Sequence, residues 1–137
     1  MGFSTVPKII MTEISAGELI DKITILQIKM ERITDKIKLA NIKMEYRVLT
    51  ETRDTSINMT LELQELTQEL RSVNQQLWLI EDDIRKCESK KDFGPEFIKL
   101  ARRVYLTNDS RADLKRRINL ILGSKLIEEK SYQVYTE

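Results

Sequence analysis

The sequence predicts an all-α fold: a long, coiled-coil-like antiparallel helical hairpin with a C-terminal helical pair packed on it. Three observations carry that expectation. Only four Gly and two Pro interrupt 137 residues, which favours long helices over a sheet with many turns. Apolar residues recur at alternating steps of four and three in two separate arrays, the spacing of a helical seam. With 41% hydrophobic and 33% charged residues, the chain can build a core rather than remain disordered, and its length suits a single domain, residues 1–137.

The first element is an N-terminal arm, residues 1–14, in which TVPKIIMTEI (5–14) suits a short strand or an arm. Ser15 followed three positions later by Glu18 reads as a capping box, which opens helix 1 over residues 15–49. Its seam is Leu19, Ile23, Leu26, Met30, Ile33, Ile37, Ala40 and Met44. Ile20, Ile25, Ile28, Leu39, Ile42, Tyr46 and Leu49 widen the apolar surface beyond what a two-stranded coil needs, so further helices should cover it. The polar run TETRDTS (50–56) interrupts the pattern. Helix 2, residues 56–88, follows with Met59, Leu63, Leu66, Leu70, Val73, Leu77, Ile80, Ile84 and Cys87 in the same alternation. Two such helices fold back as a hairpin roughly 50 Å long at ~1.5 Å per residue.

Gly94 and Pro95 mark a stop and a new start, and residues 95–123 hold helices 3 and 4. Helix 3 would bury Phe97, Ile98, Ala101, Val104 and Tyr105. Asn108 and Asp109 then break or kink the chain, Ser110 with Asp113 caps helix 4, and Gly123 ends it. Residues 124–137 form a tail, and its EEKSYQVY is dense enough in polar and aromatic groups to close over a site or to strap the bundle.

Composition removes several function classes. There is no histidine, so Ser-His and Cys-His nucleophile systems are excluded within one chain. The single cysteine, Cys87, forms neither an internal disulfide nor a zinc cluster; on the seam it reads as a buried small hydrophobe. No secretory leader or membrane-length apolar run is present, which with one free thiol leads to the expectation of a cytoplasmic protein without a membrane partner. The formal charge of +1 offers no overall electrostatic case for nucleic acid. Residues 89–125 nonetheless carry ten Lys/Arg against four Asp/Glu, and a nucleic-acid role would rest on that segment alone.

Candidate site residues come from helical stripes. Arg111, Lys115 and Asn119 fall at steps of four, and Asn108 extends the stripe backward. On helix 2, Asn74, Trp78, Glu81, Arg85 and Glu88 form a polar row beside the seam, with the only tryptophan in it. Such flanks line the groove between neighbouring helices, where bundles place pockets. Guanidinium groups grip phosphate or carboxylate, and asparagines add neutral donors, so the two rows suit an anionic small molecule such as a nucleotide or sugar phosphate. The competing reading is ion pairing of the basic stripe with Glu81, Asp82 or Glu88. Glu18, Asp21, Glu81 and Glu88 are weak candidates for a metal-dependent phosphohydrolase, since the paired motifs of that chemistry are not reproduced. No cofactor and no catalytic residue is implied.

The blocks EISAGELIDKITILQIKMERI, LWLIEDDIRKCE, FIKLARRVYLTNDSRADLKRRIN and GSKLIEEKSYQVY resemble a family of short bacterial and phage proteins catalogued only as a domain of unknown function. The resemblance brings no activity to carry over. The expectation is therefore a non-catalytic, homodimeric helical protein binding an anionic small molecule. The alternatives are a coiled-coil adaptor that binds a partner protein through its heptad surface, or a magnesium-dependent nucleotide phosphohydrolase.

Overall fold

Ser15 Oγ accepts the backbone N–H of Glu18 at 3.2 Å and so opens the first helix where the capping pattern places it. The computed structural model describes residues 8–135, with four helices: α1 (Ala16–Arg32), α2 (Lys36–Ser56), α3 (Leu61–Ser89) and α4 (Pro95–Ile121). No strand occurs among the described residues. The expectation for residues 5–14 falls partly outside them; residues 8–15 carry no regular structure, and Ile9, Ile10 and Met11 are exposed.

The fold is all-α and built on antiparallel hairpins, but its element boundaries differ from the sequence reading. Helix 1 does not run from 15 to 49. Ile33 and Asp35 are extended, and the Asp35 carboxylate accepts the N–H of Lys38 at 2.9 Å, a side-chain cap that starts a new helix. Residues 50–56 are the last turns of α2 rather than an interruption. α2 folds back along α1, and Gln27 reaches the Tyr46 hydroxyl at 3.5 Å. With 17 and 21 residues, these arms are only about 25–32 Å long.

The second hairpin is α3 and α4. Thr60 caps α3, its hydroxyl accepting from Leu63 N at 3.2 Å, and Pro95 opens α4. The predicted break at Asn108–Ser110 is absent: α4 is continuous, and Ser110 Oγ donates to Leu106 O at 3.5 Å instead of capping. No Gly or Pro enforces a break there, and Asn108 turns toward α3, so a polar cluster alone leaves the helix intact. The helix stops as expected at Gly123, whose φ of +60° allows Ser124 N to reach back to Asn119 O at 2.8 Å.

α1 lies against the α3/α4 hairpin and also carries α2, which touches no other helix. The core joins Ile20 of α1, Leu63, Leu66 and Leu70 of α3, and Leu114 and Ile118 of α4. Leu19, Ile23 and Leu26 are buried on another side of α1. α2 buries no residue fully. Its inner face carries the half-buried Leu39, Ile42, Tyr46 and Leu49, while Ile37, Met44 and Val48 point outward.

Candidate functional site

The contact of α1 with α4 is polar as well as apolar. Asp21 is wholly buried. Its carboxylate accepts Arg111 Nε at 2.9 Å on Oδ1 and Arg111 Nη2 on Oδ2, a bidentate pair. Asn74 Nδ2 of α3 donates to the same Oδ1 and to Thr24 Oγ1, both at 2.9 Å. Thr24 Oγ1 in turn donates to Asp21 O at 2.7 Å. One turn earlier, Lys115 Nζ donates to Glu18 Oε2 at 2.6 Å and to Glu128 Oε2 at 3.2 Å. Gly17 N donates to Asn119 Oδ1 at 2.6 Å and Ala16 N to Ser124 Oγ at 3.2 Å, so orphan amides at the α1 N-terminus are satisfied by α4 and the residues just after it. Gly17 is required by this approach, because an added Cβ would run into the Lys115 carbonyl.

These pairs set the electrostatics. The hydrogen bonds to Asp21 hold the Arg111 guanidinium above its ordinary value, against the opposing effect of burial. Burial pulls the Lys115 ammonium down, but the Glu18 hydrogen bond and the surrounding Asp21, Glu18 and Glu128 charges more than compensate, and its pKa is raised. Both cations are therefore firmly charged. The carboxylate partners of the basic stripe are Asp21 and Glu18 of α1 and Glu128 after α4, not Glu81, Asp82 or Glu88. Among the described residues no group of three His, Cys, Asp or Glu could hold a metal ion, and two of the weak metal candidates, Glu18 and Asp21, are engaged by Lys115 and Arg111.

Beside this seam opens a cleft of about 470 Å³. α3 lines it with Asn74, Leu77, Trp78, Glu81, Asp82 and Arg85, α4 with Asn108 and Arg111, and α1 with Ile25 and Ile28. Six of the nine residues of the two stripes thus meet at one cavity. Of the others, Glu88 lines neither cleft, and Lys115 and Asn119 line a separate cleft of about 340 Å³ with Glu128, Glu129 and Lys130, where Glu18 and Glu128 hold Lys115 Nζ and Gly17 N donates to Asn119 Oδ1. Ile25 and Ile28 were visible only as apolar surface beside the first seam. Nothing in the sequence marked them as a wall of the same cavity, because which face of α1 meets α3 depends on how the helices pack.

Arg111 serves both regions. Nε and Nη2 are spent on Asp21, which fixes the plane of a guanidinium that also lines the cleft. Asn74, which also lines the cleft, donates through Nδ2 to Asp21 and Thr24. At the rim Arg85 pairs with Glu81 one turn before it. The lining therefore offers an indole face, amides of both polarities, two guanidiniums and two carboxylates, with Asp21 behind.

A model of DUF6165, a family of unknown function, matches residues 10–136, and the chain belongs to that family. No curated protein and no solved structure matches it. No helix among the described residues is long and apolar enough to cross a membrane.

Proposed function

We propose that this protein is a non-catalytic binder of a small anionic molecule, and that the Trp78 cleft is its site. The observation that supports the reading is the convergence of Asn74, Trp78, Glu81, Arg85, Asn108 and Arg111 from two helices on one cavity, with Arg111 pre-oriented by Asp21. Preorganised donors bind at lower entropic cost than mobile surface cations. The charge balance narrows the ligand. Arg85 and Arg111 face Glu81 and Asp82, with Asp21 behind them, so the lining disfavours polyphosphates and suits one anionic group on a hydroxyl-rich body. Between the two expected classes, this favours a sugar phosphate over a nucleotide di- or triphosphate. Carboxylates accept from hydroxyls, amides both accept from and donate to them, and an indole face packs on a ring.

Trp78 is the only tryptophan in the chain, so indole emission, excited beyond the absorption of the four tyrosines, reports on this cleft alone. Titration with glucose 6-phosphate should change that emission saturably, and Arg85→Ala or Asn108→Ala should weaken binding about tenfold while the fold survives. Flat emission across sugar phosphates and nucleoside monophosphates at millimolar concentration would overturn the reading.

One observation favours association as well. Ile37, Met44 and Val48 form an outward apolar stripe on α2, which supports a homodimer or a helical protein partner at that face. The free Cys87 fits a reducing, cytoplasmic setting.

A further inference from the structure

Residues 124–135 carry no regular helix or strand and return along α4. Glu128 meets Lys115 at 3.2 Å and Glu129 meets Arg116 at 2.7 Å. Farther on, the Tyr135 hydroxyl donates to Asp109, and the Tyr135 and Tyr105 rings meet edge to face with centroids 5.6 Å apart. Between this strap and α4 lies a cleft of about 600 Å³, lined by Val104, Tyr105, Asn108, Lys130, Tyr132 and Gln133 among others. Asn108 lines both this cleft and the Trp78 cleft. The two cavities therefore share one lining residue, with aromatic side chains in the wall of each.

We propose that the two clefts are subsites of one groove and that its ligand is a phosphorylated saccharide of at least two rings. The inference rests on the reading of the Trp78 cleft as a binding site. The first ring packs on Trp78 with its phosphate toward Arg111 and Arg85; the second reaches past Asn108 to Tyr132. Tyr132 is 73% exposed, a large aromatic surface left to water beside a cavity, and stacking on a ring would cover it. Gln133 and Asn108 supply donors and acceptors for the second ring's hydroxyls. Lys130 and Asp109 add one charge of each sign, so the second subsite changes the balance of the groove not at all and takes an uncharged ring. The strap is held by the Glu128–Lys115 and Glu129–Arg116 pairs and by the Tyr135 contacts, and none of its residues belongs to the apolar core cluster. It can shift to admit the longer ligand without cost to the core.

The test compares glucose 6-phosphate with trehalose 6-phosphate, followed through Trp78 emission and the ring resonances of Tyr132. The disaccharide should bind about tenfold more tightly, the scale of one added aromatic contact, and only it should shift Tyr132. Tyr132→Ala, at an exposed position, should remove that gain and leave the monosaccharide affinity unchanged. Equal affinity for the two sugars, or an equal loss for both in Tyr132→Ala, overturns the two-subsite groove while the Trp78 site stands. If neither sugar perturbs Trp78, the Trp78 site falls and the groove falls with it.

Discussion

α1 and α2 are neighbours in sequence, joined by three residues and comparable in length, yet they live in opposite environments. α1 buries Gly17, Leu19, Ile20, Asp21, Ile23, Thr24, Leu26 and Ile28, whereas α2 buries nothing completely. Both are rich in isoleucine, leucine and lysine at helical spacing. The difference comes from what surrounds them: α1 meets all three other helices and α2 meets only α1. Apolar periodicity therefore reports which faces can be covered, and topology decides which are.

The largest effect expected from this contrast is at Asp21. Asp21→Ala leaves Arg111 and Asn74 without their buried acceptor, and truncating one partner of a buried pair costs ~3–5 kcal/mol; chemical denaturation should show that loss in the midpoint. Gly17→Ala pushes a methyl group toward the Lys115 carbonyl and should cost about 1–3 kcal/mol, the usual penalty of overpacking. A change of side chain on the outer face of α2 should be nearly silent. Met44→Ala should lie within about 0.5 kcal/mol, as surface substitutions do; an effect confined to sedimentation, with the monomer intact, would show that the outer stripe is an interface.

A smaller effect comes from pH. The Lys115 pKa is raised above its ordinary 10.5, so its contribution is fully present below the unfolded value and disappears as pH rises through the higher folded one. Stability should therefore fall on alkaline titration above about pH 10, and Lys115→Met should flatten that part of the profile. An unchanged profile would remove Lys115 from the seam's energetics.

Much of the fold was legible. The cap at Ser15, the start at Pro95, the stop at Gly123 and both apolar arrays are local signals with local causes. The turn at Ile33–Asp35 was hidden because the four-three alternation continues through it, with Ile33 and Ile37 in step, although Asp35 offered a cap. The opposite error occurred at Asn108–Ser110, where polar residues looked like a break but face a cleft and a strap. The lining of the candidate cleft was legible in part as two stripes, since residues four apart share a helix face whatever the topology. That Arg111 belongs to Asp21 was not, because it depends on how α1 packs against α4, which no spacing encodes.

The central claim is that the buried α1–α4 seam prepares Arg111 for the cleft beside it. Calorimetric titration of Asp21→Asn with glucose 6-phosphate tests this most directly, because Asp21 lies behind the cleft and is not among its lining residues. The account predicts that the folded variant binds about tenfold more weakly than the parent, as the guanidinium loses its fixed orientation. Parent-like affinity in a folded Asp21→Asn protein would contradict it.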